Sequence, residues 1–238
     1  MLDRRKMLKV LAGGAVGAAS ISFVSAAGAI SNIRAKGGKH LAMLVDLRRC
    51  NGCKACVVSC GNENGNRPDE HRTEVYQAVA EREGKPFVLN LPLLCNNCEK
   101  PSCVKVCPTG ATFKRAEDGI VVVDSTLCVG CNYCIQACPY SAVRFTNSNT
   151  GTVDKCNFCI HRTSRGLLPA CVETCTGGAR IFGDINDKNS EIAKLIEKEN
   201  PLVLQSGKHT EPNVFYIGLT QEESNTAFSL KFPQEWQR

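Results

Sequence analysis

The sequence predicts an α+β protein made of short strands, hairpins and helical turns, arranged as two interleaved units with a small C-terminal extension. Three observations support this fold class. All sixteen cysteines fall into four groups of four with related spacings. Two hairpin signals each stand shortly before one of these groups, and apolar runs of strand length lead into the other two. We therefore expect one cysteine-rich domain over residues 40–184 and an extension over residues 185–238 that docks a partner.

The third cysteine group has the most specific pattern in the chain. Residues 128–139 follow the spacing C-x2-C-x2-C-x3-C-P, by which bacterial ferredoxins ligate [4Fe-4S] clusters. Three thiolates spaced by two residues can turn toward one face of a cubane, while the fourth points to a neighbouring cluster. Pro139 ends the helical turn and so fixes the direction of Cys138. The pattern predicts iron-sulfur chemistry.

The other three groups repeat this spacing with small changes. The first lacks the final proline, the second has a wider middle gap, and the fourth has a long insertion at residues 161–170. No cysteine is left over, so the sequence predicts four [4Fe-4S] clusters. In chain order, the quartets are Cys50, Cys53, Cys56 and Cys60; Cys95, Cys98, Cys103 and Cys107; Cys128, Cys131, Cys134 and Cys138; and Cys156, Cys159, Cys171 and Cys175.

The fourth cysteine of each quartet is expected to ligate the cluster of another quartet, so the quartets must pair. The second and third quartets are nearest in sequence and are predicted to form an inner ferredoxin-like unit, about residues 90–145. This unit is inserted into an outer unit formed by the first and fourth quartets. The predicted ligand sets are set A, Cys50, Cys53, Cys56 and Cys175; set B, Cys60, Cys156, Cys159 and Cys171; set C, Cys95, Cys98, Cys103 and Cys138; and set D, Cys107, Cys128, Cys131 and Cys134.

Disulfides and zinc are the two other chemistries that use many cysteines. Disulfide scaffolds are usually short, and nothing in their construction requires repeated C-x2-C pairs with a fourth cysteine three residues after the third. Zinc ribbons bind through two C-x2-C pairs and do not need this order of the third and fourth cysteines. The spacing favours iron-sulfur over both alternatives. A zinc module would be colourless.

The net charge of +6 does not indicate nucleic-acid binding, because residues 1–29 hold four basic side chains against one acidic one. Four basic residues stand beside cysteines and are predicted either to offset the negative charge of bound clusters or to be solvated. The sequence contains no phosphate loop, zinc-protease motif or dinucleotide fingerprint. The chain is therefore predicted to transfer electrons without being an enzyme itself. The four basic residues are Arg49, Lys54, Lys105 and Lys155.

Residues 1–29 are predicted to be a twin-arginine signal peptide. Arg4 and Arg5 precede a small, weakly apolar stretch, and small residues allow cleavage after Ala26 or Ala29. Several glycines and serines argue against a membrane helix in this stretch. The twin-arginine route carries folded proteins, which suits a protein whose clusters are inserted in the cytoplasm. We expect a periplasmic protein that is held at the membrane by a partner.

Local patterns place the secondary structure around the quartets. Gly-containing turns mark two hairpins, and Ser190 caps a helix that Pro201 ends. A polar, turn-rich stretch, residues 61–69, follows the first quartet. His161 could hydrogen-bond a cluster sulfur, although a surface role is favoured. The predicted strands are 41–47, 73–79, 86–94, 112–115, 120–123, 143–145, 152–153, 179–185 and 214–219, and the helix runs from Ser190 to Glu199.

Four quartets in this order, with x2-x4-x3 spacing in the second and x2-x11-x3 in the fourth, resemble the iron-sulfur B subunits of the dimethyl sulfoxide reductase family over residues 40–184. The resemblance implies four [4Fe-4S] clusters in line, between a molybdopterin catalytic subunit and a membrane subunit that oxidises quinol. It implies no nucleic acid and no direct small-molecule substrate. Some relatives lack one cysteine of the third quartet and hold a [3Fe-4S] cluster, whereas this chain keeps all four.

Within the family, residues 42–50, 166–173 and 177–181 are most similar to the B subunits of tetrathionate reductases. The resemblance implies that electrons pass from quinol through the clusters to a molybdenum cofactor in an anaerobic respiratory reductase. The B subunits of polysulfide, arsenate and selenate reductases remain alternatives, because the catalytic subunit sets the substrate. A free multi-cluster ferredoxin is a further alternative.

Overall fold

A computed structural model describes residues 38–140 and 144–226, and the predicted signal peptide lies outside them. The central strand, β1 (Leu41–Asp46), pairs antiparallel with β8 (Arg180–Asp184) and parallel with β9 (Val214–Ile217). A central strand covered on both faces needs apolar side chains throughout. Residues 42–45 are accordingly fully buried. The predicted strand at this place is confirmed.

The other strands form three antiparallel hairpins, β2–β3, β4–β5 and β6–β7. Short helices alternate with them, in agreement with the predicted α+β class, and single 3₁₀ turns lie at Leu47–Arg49 and Ser206–Lys208. The hairpin strands are β2 (Thr73–Arg82), β3 (Lys85–Leu94), β4 (Thr112–Lys114), β5 (Val121–Val123), β6 (Arg144–Thr146) and β7 (Val153–Lys155). The helices are α1 (Ala55–Asn64), α2 (Ser102–Lys105), α3 (Tyr133–Gln136), α4 (Ile160–Thr163), α5 (Ala170–Glu173), α6 (Glu191–Glu199) and α7 (Gln221–Thr226).

Both predicted hairpins are confirmed by the pairing of β4 with β5 and of β6 with β7. The β2–β3 hairpin is longer than the predicted strands, because pairing continues to Arg82 and Lys85. Glu83 and Gly84 between them both have positive φ, 51° and 72°. Two positive values in a two-residue loop suit the right-handed twist of a hairpin, so the ladder extends to the turn.

The prediction of a turn-rich stretch at residues 61–69 is wrong at its start, because helix α1 continues to Asn64. No proline follows Cys60 to stop the helix, and the Asn64 side-chain amide donates to the Cys60 carbonyl at 2.8 Å. Gly65 then ends the helix in the left-handed conformation, with φ of 63°.

The described part of the predicted C-terminal extension packs into the same core as the cysteine-rich domain. The Ser190 side chain caps α6 as predicted, and Ile192 of that helix is fully buried beside β1. Tyr216 in β9 donates from its hydroxyl to the Pro92 carbonyl at 2.9 Å. The extension therefore has a structural role, and docking stays a prediction. Within residues 38–140 and 144–226, no helix is long and apolar enough to span a bilayer.

Candidate metal centres

All four C-x2-C loops bend the backbone in the same way. The residue before the second cysteine has positive φ in each loop: Gly52 (75°), Asn97 (42°), Gly130 (68°) and Phe158 (53°). This conformation turns successive backbone N–H groups toward one side, which forms a pocket suited to anions such as thiolate sulfur. A bulky buried residue such as Phe158 adopts it only at a cost. That cost is typical of a functional site.

The third and fourth cysteines also share one local design. Cys103, Cys134 and Cys171 are each the second residue of a four-residue helix, α2, α3 and α5. The fourth cysteine follows the helix, and its sulfur accepts a later backbone N–H. The observed bonds of this kind run from Thr112 to Cys107 at 3.3 Å and from Ala179 to Cys175 at 3.2 Å.

The four cysteines of set A line one cavity of about 340 Å³, part of it open to solvent. Cys175 reaches this cavity from the far end of the sequence, as the predicted exchange of fourth cysteines requires. A Cβ atom on Gly52 would lie 2.5 Å from Asn90 Oδ1, so only glycine fits this close approach of loop and hairpin. Asn90 in turn donates to the Cys50 carbonyl at 3.1 Å.

The four cysteines of set B line a second cavity of about 300 Å³, part of which is also open to solvent. All four are buried. Burial, together with the negative charges of Cys171 and Cys159, raises the pKa of Cys60 to about 12. The Asn64 amide also lies 3.5 Å from the Cys60 sulfur. Set B thus lies in the interior.

In set C the four thiols also lie near one another. Burial, with Cys95, Cys103 and Cys138 as charged neighbours, raises the pKa of Cys98 to about 12. Burial, with Cys95 and Cys103 as charged neighbours, raises the pKa of Cys138 to about 11. These interactions indicate that Cys138 lies near the second quartet, and its membership of set C stays a prediction.

Three cysteines of set D come from one loop and helix, and Cys128 packs beside Cys134 in a small apolar cluster. Cys107 accepts a hydrogen bond from the Thr112 backbone and lies 3.7 Å from the Thr109 hydroxyl. Its membership of set D stays a prediction. Cys131 is exposed.

Electrostatic contacts also connect one set to the next. Cys56 of set A acts on the pKa of Cys171 in set B, and Cys95 of set C acts on that of Cys156 in set B. Cys134 of set D acts on that of Cys103 in set C. The packing agrees with these contacts. Sets A and B meet through Cys56 and Cys60 in helix α1, sets B and C through Cys95 and Cys156 in the main hydrophobic core, and sets C and D through Cys103 and Cys134 in a smaller cluster. The order of the sets is therefore A, B, C, D.

Comparison with known proteins agrees with these features. Residues 86–185 match a family model described as a 4Fe-4S dicluster domain. The B subunit of tetrathionate reductase from Salmonella typhimurium is 48% identical over 99% of this chain and 96% of its own length. The protein of the same name from Archaeoglobus fulgidus is 40% identical over 78% of this chain and 86% of its own. The chain belongs to the iron-sulfur B subunits of the dimethyl sulfoxide reductase family. Another relative, the B subunit of selenate reductase from Mesobacillus selenatarsenatis, is 39% identical over 74% of this chain and 70% of its own length.

As a member of this family, the chain carries [4Fe-4S] clusters and serves as an electron-transfer subunit of a reductase complex. The cavities of sets A and B each bring four cysteines together, which is the number of thiol ligands that one such cluster takes. The raised pKa values of the buried thiols mean that cluster binding must release protons.

Two buried arginines near the sulfurs were not identified from the sequence. Arg144 begins β6 six residues after Cys138, and Arg180 begins β8 five residues after Cys175. Both arginines are the first residue of the strand that follows a fourth cysteine, and this sequence pattern could have predicted them. Arg144 Nε and Nη2 are buried and have no hydrogen-bond partner among the described residues. An anionic cluster beside them would supply acceptors, so the residues fit the cofactor.

The basic residues predicted beside cysteines differ in burial. Lys155 is buried, whereas Arg49, Lys54 and Lys105 are exposed. The structure places His161 at the surface, where its Nε2 lies 2.7 Å from Glu63 Oε1. This position agrees with the surface role that was favoured.

Proposed function

We propose that this chain relays electrons through four [4Fe-4S] clusters between a membrane subunit that oxidises quinol and a molybdopterin catalytic subunit. Sets A to D would each hold one cluster, and the chain itself would be non-catalytic. The observation that carries the proposal is the order of the sets, which follow one another with one exposed cysteine at each end, Cys53 and Cys131.

Each cluster, when bound, takes up and releases one electron without breaking a covalent bond of the protein. The protein holds the sulfurs in a row and excludes water from the two middle sets, B and C. Set B has no exposed cysteine, and neither has set C. A partner subunit would therefore have access to sets A and D.

Exposed apolar side chains lie near both ends of the row. Val129 and Tyr133 are in the loop and helix of set D and are 69% and 56% exposed. Near set A, Val79 and Val88 are paired in the hairpin and are both exposed. Their neighbours along the same face, Gln77 and Asn90, pack against the Gly52 loop. Apolar surface of this kind is typical of interfaces, which supports partners at both ends.

We further propose that the complex is a tetrathionate reductase. Support comes from the relative of that name, which is 48% identical over nearly the whole chain. The selenate reductase relative, at 39%, makes a selenate reductase the second candidate. The direct test uses the intact complex, anaerobically reduced, with the cluster absorbance recorded as substrate is added. Tetrathionate should reoxidise the clusters, and selenate should not. Reoxidation by selenate alone would contradict the tetrathionate proposal.

The proposed location is the periplasm, reached by the twin-arginine route and maintained by the membrane partner. The test replaces both arginines of the signal, Arg4→Lys and Arg5→Lys, and follows the protein by cell fractionation. The double variant should accumulate in the cytoplasm with its clusters intact, because residues 38–226 are unchanged. Unaltered export of the double variant would contradict this route.

A further inference from the structure

We infer that three buried cations, one between each pair of successive cysteine sets, set the reduction potentials of the clusters on both sides of them. Arg180 lies between sets A and B, Lys155 between sets B and C, and Arg144 between sets C and D. The inference rests on the proposed function, because it requires clusters in these sets. It adds a role for residues that ligate no metal.

Arg180 is 3% exposed and reaches both outer sets. Its Nη2 donates to the Thr73 hydroxyl at 2.8 Å, and its Nη1 lies 3.8 Å from the sulfur of Cys171 in set B. The same residue lines the cavity of set A. One guanidinium therefore acts on two sets.

Arg144 has the corresponding position in the inner unit and is 6% exposed. Its Nη1 donates to the carbonyl of Cys134 in set D at 3.2 Å. Arg144 also lies close enough to Cys95, Cys103 and Cys138 of set C for its charge to act on their sulfurs. Its Nε and Nη2 atoms have no partner among residues 38–140 and 144–226 and could donate to the clusters.

Lys155 links the outer unit to the inner unit and is 3% exposed. Its Nζ donates to the carbonyl of Cys156 in set B at 3.0 Å and also to the Val121 carbonyl. Asn97, in the loop between two cysteines of set C, lies 3.5 Å from the same nitrogen. Lys155 also lies close enough to Cys95 and Cys103 of set C for its charge to act on their sulfurs.

Among the described residues, no carboxylate oxygen lies within 4 Å of a side-chain nitrogen of these three cations. Other partly buried cations of the chain do have such partners. Arg72 lies 2.9 Å from Asp154, and Lys114 pairs with Glu99 at 2.6 Å. An isolated buried charge is costly. The sulfurs and the clusters that they bind are therefore the counter-charge of the three cations.

The effect on potential follows from Coulomb's law in a medium of low dielectric constant. A thiolate-bound cluster is negative and gains one more negative charge on reduction, so a nearby cation stabilises the reduced form more than the oxidised form. The cation raises the reduction potential, and removal of its charge lowers it. Each cation faces two sets, so each removal should lower two potentials.

The test replaces the cations one at a time and measures all cluster potentials by electron paramagnetic resonance during a redox titration of the anaerobically purified full chain. R180Q should lower the potentials of clusters A and B, K155M those of B and C, and R144Q those of C and D. Single serine variants of the exposed Cys53 and Cys131 assign the signals of sets A and D. The two remaining signals then belong to sets B and C, of which R180Q should move one and R144Q the other. Clusters B and C are each covered by two variants, so each of them is still tested if one variant misfolds.

Two controls separate charge from packing. R49Q makes the same substitution in the lining of the set A cavity, but Arg49 is exposed and water screens its charge. It should therefore lower the potential of cluster A much less than R180Q does. R180K and R144K keep the charge and should lower the potentials less than the glutamine variants do.

The possible outcomes distinguish the inference from the proposed function. Wild-type protein without [4Fe-4S] signals would contradict the proposed function. Four wild-type signals that stay fixed in all three neutral variants, or that all move equally in each, would overturn the inference and leave the relay intact. Pairwise shifts in the order given would establish it.

Discussion

Sets B and C lie in the interior of the protein, whereas sets A and D reach its surface. Cys95, Cys156 and Cys171 of the middle sets belong to the main hydrophobic core, as does Cys56 of set A. Cys53 and Cys131, from the end sets, are exposed. Sets B and C thus contribute mainly to the hydrophobic core, whereas sets A and D also present a cysteine at the surface. Loss of one cysteine ligand, or attack by a small reagent, should therefore have different effects in the two regions.

The largest expected difference is in the loss of one ligand. Cys171→Ser in set B should prevent accumulation of folded protein, because it removes a buried ligand that contacts Arg180. Cys131→Ser in set D should give soluble protein in which one cluster is altered and electron transfer is interrupted. Soluble yield, iron content and thermal melting compare the two. Equal losses in both variants would contradict the difference between middle and ends.

A second prediction concerns access of small molecules to the clusters. A chelator or mild oxidant should remove iron in two phases, with about half lost quickly from the end sets and the rest slowly, because exposure controls reactivity of such sites. Iron release is followed by absorbance, and the surviving signals identify the retained clusters. A single phase that removes all clusters at one rate would show that burial does not protect sets B and C.

A third prediction compares a buried tyrosine, Tyr140, with an exposed one, Tyr133. Tyr140 is 2% exposed, and its hydroxyl lies 2.8 Å from the Thr210 hydroxyl and 3.2 Å from the Leu204 carbonyl. Tyr140→Phe should lower the free energy of unfolding by about 1 kcal/mol. The matched variant at the exposed end, Tyr133→Phe, should leave it unchanged. Chemical denaturation of cluster-loaded protein measures both, and equal effects would contradict the comparison.

The smallest expected effect lies far from the cysteines, where Glu223 of α7 pairs with Arg82 of the β2–β3 hairpin at 2.6 Å. Burial raises the pKa of Glu223, but hydrogen bonds from Arg82 and from the Thr220 backbone outweigh it, and the net pKa is lowered. A carboxylate with a lowered pKa stabilises the fold above its unfolded pKa and loses this effect as the pH falls.

Glu223→Gln should therefore destabilise the protein at neutral pH by well under about 1 kcal/mol, because Arg82 is partly exposed. The difference between the variant and the wild type should vanish as the medium is acidified through the lowered pKa of Glu223. Thermal melting at several pH values tests this. A difference that persists at acid pH would exclude the charge pair as its cause.

The sequence predicted the features that depend on local spacing. The quartets, both hairpins and the Ser190 cap are each encoded within a short window. The structure also places Cys175 in the cavity of the first quartet. The extension of α1 was missed because Asn64 acts through a hydrogen bond to the Cys60 carbonyl. Such a contact has no signal in the spacing.

The non-local features could not be obtained in this way. β9 pairs in parallel with β1 from the other end of the chain, and nothing in the sequence pattern selects that partner. Arg144 and Arg180 were missed for a related reason. Their burial depends on where two distant cysteine sets meet, and only the folded chain brings those sets together.

The central claim is that sixteen cysteines hold four [4Fe-4S] clusters in one row. Metal and acid-labile sulfide analysis, with electron paramagnetic resonance on anaerobically purified protein, tests it most directly. We expect about sixteen iron and sixteen sulfide per chain and four [4Fe-4S] signals on reduction. Zinc in place of iron, or little metal with oxidised cysteines, would contradict it.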